Sequence, residues 1–232
     1  MNLWRKVSHR VQIALYSNRW FQSLEKDVKR IYKKPIKTVF DVGAHKGQTS
    51  LHFRKCFPIA DVHAFEPSPH NFRTLQANLR GRNRIHPQPY ALGQTQTVAL
   101  LSEGKNDLRG QLVPEDKTQG DDSYSQVRVN TIDNYLQENK LEHIDLLKLD
   151  VEGHELEVLK GASDTLRCKL VNFIVTECDF NAADSQHSFF PDLLEFLTAQ
   201  NFLFFGLYDV IHYHDRSGIG YCNALFHSDN LS

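Results

Sequence analysis

The sequence predicts an α/β fold: a mostly parallel sheet of seven strands, closed by a C-terminal β-hairpin and preceded by a helical extension. Three observations predict it. From residue 37 onward, short apolar runs alternate with stretches of helical periodicity, the pattern of βαβ units. The most apolar run, Ile144 to Leu149, suits a central strand covered on both faces. The last two runs, Phe202 to Val210 and Tyr221 to His227, lie near enough in the chain to pair as a hairpin.

Taken in order, the first strand spans Thr38 to Val42 and ends in Gly43-Ala44-His45-Lys46-Gly47, after which a helix runs to about Phe57, with Pro58 closing it. A second strand, Asp61 to Phe65, ends at Glu66-Pro67-Ser68-Pro69. It leads into a helix across Phe72, Leu75, Ala77 and Leu79, with Ser68 as its cap and Gly81 as its stop. Residues 85 to 91 read as a third strand, and Pro87 and Pro89 place it at a sheet edge. Residues 102 to 126 are polar and aperiodic, and a loop of that length reads as a lid. A helix over Thr131 to Asn139 precedes the central strand, which terminates at Asp150. A helix from Gly153 to about Leu166, a strand Asn172 to Cys178 and a helix Phe189 to Gln200 lead to the hairpin.

The 232 residues suffice for one large core, and 41% hydrophobic with 24% charged content is that of a soluble globular chain. Cys56, Cys168, Cys178 and Cys222 are widely spaced and form no CxxC pair, which argues against a zinc knuckle or a disulfide framework and suits a cytoplasmic setting. No apolar run reaches bilayer length, and the N-terminus lacks the features of a signal peptide.

Charge divides the chain into a 1–34 extension and a 35–232 domain. Residues 1–34 carry nine Lys or Arg against Glu25 and Asp27, net +7, whereas the remainder holds 18 against 26, net −8. Trp4, Val7, Val11 and Leu15, then Phe21, Leu24, Val28 and Ile31, recur at helical spacing. The expected role is a basic amphipathic extension that packs on its own domain or on a second copy as a homodimer; peripheral contact with an anionic membrane is the next reading. Nucleic acid is not an expected partner.

VFDVGAHKG sets an acid at the tip of a buried strand and glycines where the chain turns into a helix. In open α/β sheets a ligand lies beyond the C-terminal strand ends, so this turn faces a cofactor. Gly43 and Gly47 would let backbone approach it without a Cβ clash, Asp41 could attract a cationic amino group, and Glu66 could accept both hydroxyls of a ribose. The glycines read GxxxG and not GxGxxG, which weakens the alternative of an NAD-dependent oxidoreductase.

With FEPSPHNFRTLQANL, the ALG at Ala91 to Gly93, LLKLDVEGHELEVLKGA and FIVTEC, the chain over roughly residues 36 to 230 resembles the FkbM family of S-adenosylmethionine-dependent methyltransferases. The resemblance implies a Rossmann-like class I methyltransferase sandwich that uses S-adenosyl-L-methionine. It implies a cofactor site of Asp41, Gly43, Ala44, Gly47, Glu66, Ala91 and Leu92, and an active-site wall from Asp150, Glu152, Gly153 and Glu155. A non-catalytic ligand-binding domain of the same fold is a further alternative, against which the retained Asp41, Glu66 and Asp150–Glu155 run speak.

The expected reaction is methylation of a hydroxyl on a sugar, glycan or small natural product. A protonated hydroxyl is a poor nucleophile, so a base or a metal must help. Asp150, Glu152, His154, Glu155 and Glu177 are the candidates, all at or just beyond strand ends. His154 has a fitting unperturbed pKa, and Glu155 could instead cap its turn in the manner of a capping box. Asp150 and Glu177 would be the oxygen ligands if Mg²⁺ were needed, though no metal is part of the main expectation. Lys148, on the same strand face as Asp150, is placed to pair with a carboxylate. His212 and His214 read as rim residues and not as a metal site.

Overall fold

The computed structural model describes residues 24–103, 110–113, 124–182, 187–213 and 218–231. Its main sheet has seven strands. In chain order these are β1 (Thr38–Val42), β2 (Asp61–Phe65), β3 (Ile85–Gln88), β8 (Ile144–Leu149), β9 (Val171–Cys178), β10 (Phe202–His212) and β11 (Ile219–Ser228). They lie in the order β10-β11-β9-β8-β1-β2-β3. The pairs β3–β2, β2–β1, β1–β8 and β8–β9 are parallel, and β11 runs antiparallel to both β9 and β10. The fold is therefore the Rossmann-like α/β sandwich that the strand pattern predicts, C-terminal hairpin included.

Helices cover both faces. α1 (residues 24–31), α2 (Gln48–Cys56) and α3 (Pro69–Leu79) bury Leu24, Val28, Phe53, Leu75 and Leu79 against Val39, Val62 and Leu146. α4 (Ile132–Asn139), α5 (Glu155–Lys160), α6 (Ser163–Arg167) and α7 (Phe190–Ala199) close the other face over Phe40, Leu147 and Ile174. Side chains alternate across a strand, so Val39 and Asp41 point to the α2 face while Phe40 and Val42 point away. That alternation decides where Asp41 ends up.

The helix ends follow the chemistry of capping. Ser68 Oγ accepts from Asn71 N at 3.2 Å, with Pro69 in the first turn of α3, and Gly81 just past its end has φ +75°. Thr131 caps α4 in the same way through Asn134 N.

Two expectations are corrected. The helix foreseen from Gly153 to Leu166 is two helices, broken at Gly161-Ala162. Gly161 passes so close to the loop after Leu92 that a Cβ there would stand 2.0 Å from the Gly93 carbonyl oxygen. Asp133 then caps the second helix, its carboxylate accepting from Asp164 N at 3.0 Å and Thr165 N at 2.8 Å.

The second correction concerns the segment read as a lid from 102 to 126. Its described parts belong to a separate four-stranded sheet, ordered β4-β7-β5-β6, from β4 (Ala91–Leu92), β5 (Thr97–Glu103), β6 (Gly110–Val113) and β7 (Tyr124–Asn130). Residues 104–109 and 114–123 lie outside the described residues, as does His214. The expected third strand likewise divides, its first part at the edge of the main sheet and Ala91–Leu92 in the small one.

Of the N-terminal extension, residues 1–23 lie outside the described residues. The part beyond them packs on the chain's own domain. Leu24 and Val28 are buried, the Tyr208 hydroxyl donates to Asp27 Oδ2 at 2.6 Å, and the Arg30 guanidinium sits over Phe205. Among the described residues no helix is long and apolar enough to cross a membrane.

Candidate active site

A cavity of about 290 Å³ opens beyond the C-terminal ends of β1, β2 and β8, where a parallel sheet of this topology holds ligands. One wall is apolar, from Phe65, Ala91, Leu92 and Leu101; the last three come from the small sheet. The facing walls are polar, Glu66, Ser68 and Asn71 on one side and Asp150, Glu152 and His154 on the other. A roomier hollow of about 570 Å³ lies around Tyr32, Lys37, Lys140 and Asp145 at the opposite end of the strands. There Asp145 Oδ2 accepts from Lys37 N and Thr38 N, which ties down the entry of β1.

Glu66 stands where the strand pattern sets it, just past the end of β2. Its side chain lines the cavity at the tip of β2, with Oε2 accepting from His45 N at 2.8 Å and Oε1 from Ser68 N at 2.9 Å. Each oxygen keeps a further lone pair, so the carboxylate is oriented by backbone and can still accept two ligand hydroxyls. Burial pushes its pKa up, partly offset by those two backbone bonds.

Asp41 is placed otherwise than expected. It does not line the cavity; it is fully buried on the α2 face, where Ser50 Oγ donates to its Oδ2 at 2.5 Å. In register across β8 stands Lys148, whose Nζ lies 3.3 Å from Asp41 Oδ1 and 3.1 Å from Asp150 Oδ2. Burial works against the ammonium, but Asp150 and Asp41 outweigh it and hold Lys148 above the usual lysine range. Lys148 Nζ also donates to the Gly43 carbonyl at 3.3 Å. Asp41 thus anchors the floor of the turn through Lys148.

The glycines serve packing within the protein. A Cβ at Gly43 would stand 1.8 Å from the Asp150 carbonyl oxygen, and one at Gly47 2.7 Å from Leu75 Cδ1; their φ values are +80° and +88°. Gly43 does line the cavity, but Gly47 and Ala44 lie behind it. The Gly43 and Ala44 amides both donate to the Phe65 carbonyl, at 3.0 and 2.9 Å, which ties the turn to the tip of β2.

Beyond β8 the chain makes a tight turn with Glu152 at φ +54° and Gly153 at φ +92°. A non-glycine residue in that region is strained by about 1–3 kcal/mol and persists only where its surroundings enforce it. Glu155 does the enforcing. Fully buried, it accepts from Val151 N at 2.9 Å and Gly153 N at 3.4 Å, and its other oxygen accepts from Ser188 Oγ at 2.5 Å. It is therefore a staple for the turn, with both oxygens engaged by protein donors, while Glu152 and His154 line the cavity.

Glu177, at the end of β9, is not in the cavity lining but sits beside it. Burial, then the carboxylates of Asp150, Glu155 and Glu152, push its pKa well above the ordinary range, with Lys148 opposing. Among the described residues no group of three or more His, Cys, Asp or Glu could hold a metal ion. Leu101 and Asn71, which line the cavity, were not foreseen as site residues; they sit where apolar alternation and the turn of α3 would have placed them.

The family described as Methyltransferase FkbM domain matches residues 41–204, more than half of the chain. Methyltransferase 1 of Beauveria bassiana is 29% identical over 160 residues, covering 61% of this chain and 64% of that protein. The hexuronic acid methyltransferase AglP of Haloferax volcanii is 30% identical over 159 residues, covering 66% of this chain and 62% of that protein. The chain thus spans slightly less than two thirds of these relatives' length. An rRNA methylase from Streptococcus thermophilus shares the fold, with a TM-score of 0.50 at 10% identity over 90% of this chain and 96% of that one.

Proposed function

The chain belongs to the FkbM methyltransferase family, and on that premise we propose that it moves a methyl group from S-adenosyl-L-methionine to an oxygen of a sugar, glycan or small natural product. One observation carries the reading: a cavity at the strand tips whose apolar wall, backbone-oriented Glu66 and opposing carboxylates match the three parts of that cofactor in order. Phe65, Ala91, Leu92 and Leu101 would flank the adenine, Glu66 would hold the ribose hydroxyls, and the turn at Gly43 and His45 would meet the amino-acid end. Asp150 and Glu152 supply the negative field that a sulfonium cation prefers.

The bound cofactor supplies a methyl carbon already activated by the adjoining positive sulfur. The protein's own work is then alignment and proton handling. Lys148 fixes Asp150 at the rim, Glu155 holds the strained turn that presents Glu152 and His154, and the small sheet supplies most of the apolar wall. The Haloferax relative supports oxygen as the acceptor atom, since a hexuronic acid offers only hydroxyl and carboxyl oxygens as nucleophiles.

Titration calorimetry should show S-adenosyl-L-methionine binding with NAD⁺ giving no heat. A mass-spectrometric screen of glycans and metabolites should then return oxygen-linked products carrying one added methyl. Preference for NAD⁺ overturns the cofactor; methyl groups found only on nitrogen or carbon overturn the acceptor.

A further inference from the structure

A hydroxyl acceptor needs a positioned group to take its proton as the new bond forms. Among the side chains at the strand tips, Glu155 is spent on Val151 N, Gly153 N and Ser188 Oγ. Asp150 is engaged by the Lys148 ammonium at 3.1 Å. His154 heads α5 without a capping bond from its side chain.

Glu177 differs from all three in its setting. Its side chain is only 15% exposed at the end of β9. It faces Asp150 and Lys148 from β8, Glu152 and Glu155 from the turn and α5, and Asn223 in register on β11. From the segment before α7 comes His187, whose Nε2 lies 3.8 Å from Glu177 Oε2. The His187 ring is itself buried and lies flat on Tyr221 of β11, with centroids 4.9 Å apart and planes 8° from parallel. A carboxylate partnered by an imidazole, with the ring held by a third group, is how proteins aim a proton-transfer pair.

We infer that Glu177 takes the acceptor hydroxyl's proton and that His187, held on Tyr221, is the positioning residue that aims Glu177. This rests on the oxygen-directed reading above. The O–H proton passes to a Glu177 carboxylate oxygen and the oxygen's electron pair forms the bond to the methyl carbon. The pair of the broken carbon–sulfur bond stays on sulfur. The products are the methyl ether, a neutral thioether and a neutral glutamic acid, which returns its proton to water. Burial and the surrounding carboxylates, which push Glu177 upward, bring its titration toward the pH where such a base is most effective.

The test uses the full chain labelled with ¹³C-carboxyl glutamate, titrated by NMR, with the Glu177 signal identified by its loss in Glu177→Gln. His187→Phe keeps a ring for Tyr221 but removes the polar ring nitrogens beside Glu177, so the Glu177 midpoint should rise by about half a pH unit or more; His187→Gln, which restores a polar side chain, should bring it back. In turnover with the oxygen acceptor returned by the screen, His187→Phe should displace the acid limb of the pH profile to higher pH and lower kcat at pH 7 roughly tenfold. The affinity for S-adenosyl-L-methionine should stay within about twofold. Should His187→Phe fail to fold by circular dichroism, His187→Ala gives the same readings with space in place of bulk. A Glu177 midpoint indifferent to His187, or full kcat in Glu177→Gln, overturns the inference while the oxygen reading stands. A screen returning only nitrogen or carbon acceptors overturns the oxygen reading and the base role with it, yet leaves the His187-dependent midpoint intact.

Discussion

Lys148 Nζ lies 3.3 Å from Asp41 Oδ1, the two residues facing each other in register on neighbouring strands with both side chains removed from water. A buried ion pair contributes little net stability against an apolar replacement, but losing one partner strands the other at a cost of roughly 3–5 kcal/mol. Lys148 keeps Asp150 as a second partner, so Asp41→Asn should fall near the low end, about 3 kcal/mol. For a chain of this length that lowers Tm by roughly 10 °C. Thermal denaturation followed by circular dichroism measures it. Cofactor affinity, compared at a temperature where the variant is folded, should change far less, because Asp41 does not touch the cavity.

Glu66 predicts the opposite division. Its carboxylate is held by the His45 and Ser68 amides and faces the cavity. Hydrogen bonds to a charged group are worth about 1.5–3 kcal/mol each. Glu66→Gln should therefore weaken S-adenosyl-L-methionine binding roughly 10- to 100-fold in titration calorimetry, with Tm within a few degrees of the parent. Equal affinity would remove Glu66 from the cofactor site.

The two glycines of the first turn separate by what their missing Cβ would meet. At Gly43 it is the Asp150 carbonyl oxygen at 1.8 Å, a backbone atom that cannot step aside. At Gly47 it is the end of the Leu75 side chain at 2.7 Å, which can rotate. Both substitutions incur the left-handed backbone cost of about 1–2 kcal/mol. Gly43→Ala should add to that a displaced β8 tip and lose cofactor binding altogether, whereas Gly47→Ala should retain binding in a protein destabilised by about 2 kcal/mol. Calorimetry on both variants, with circular dichroism as the fold control, decides it.

The strands β1, β2 and β8 were legible in the sequence because a parallel strand covered on both faces reads as a short apolar run ended by a turn residue. Glu66 was legible for the same reason, standing one residue past such a run. The burial of Asp41 follows from its place inside the run and not from its nearness to the glycines: it alternates with Val39, and so points at α2. Lys148 carries the same information, being an otherwise costly lysine in a central strand. The small sheet escaped notice because pairing between its own strands holds it, and much of the polar 102–126 segment gives no two-residue alternation. The break at Gly161 depends on Gly93, and the setting of Glu177 on His187 and Tyr221; contacts so far apart in the chain leave no local pattern.

Glu155 tests whether a buried acid in the motif serves structure. Glu155→Ala leaves Val151 N, Gly153 N and Ser188 Oγ without their acceptor while Glu152 is in a strained backbone conformation. Unsatisfied buried donors cost about 1–3 kcal/mol each, so a loss of roughly 4 kcal/mol in chemical denaturation is expected. Ser188→Ala should lose only about 1–2 kcal/mol and remain active. An active Glu155→Ala enzyme of parental stability would contradict the staple.

Glu177 gives a pH dependence of opposite sign to that of a salt-bridged acid. Its folded-state pKa is raised, first by burial and then by Asp150, Glu155 and Glu152, so the folded protein favours the protonated form. At a pH below the unfolded value of about 4.5, both states are protonated and the group is neutral in its effect. As pH climbs through the interval up to the raised folded value, the unfolded state sheds its proton first and stability is lost. Glu177→Gln keeps the shape and cannot ionise, so its Tm should match the parent below about pH 4.5 and exceed it increasingly as pH rises toward the raised folded value, levelling off above it. A residue kept for stability would show the reverse, a variant weaker at every pH. A more stable protein at neutral pH that has lost turnover is the signature of an acid retained for chemistry.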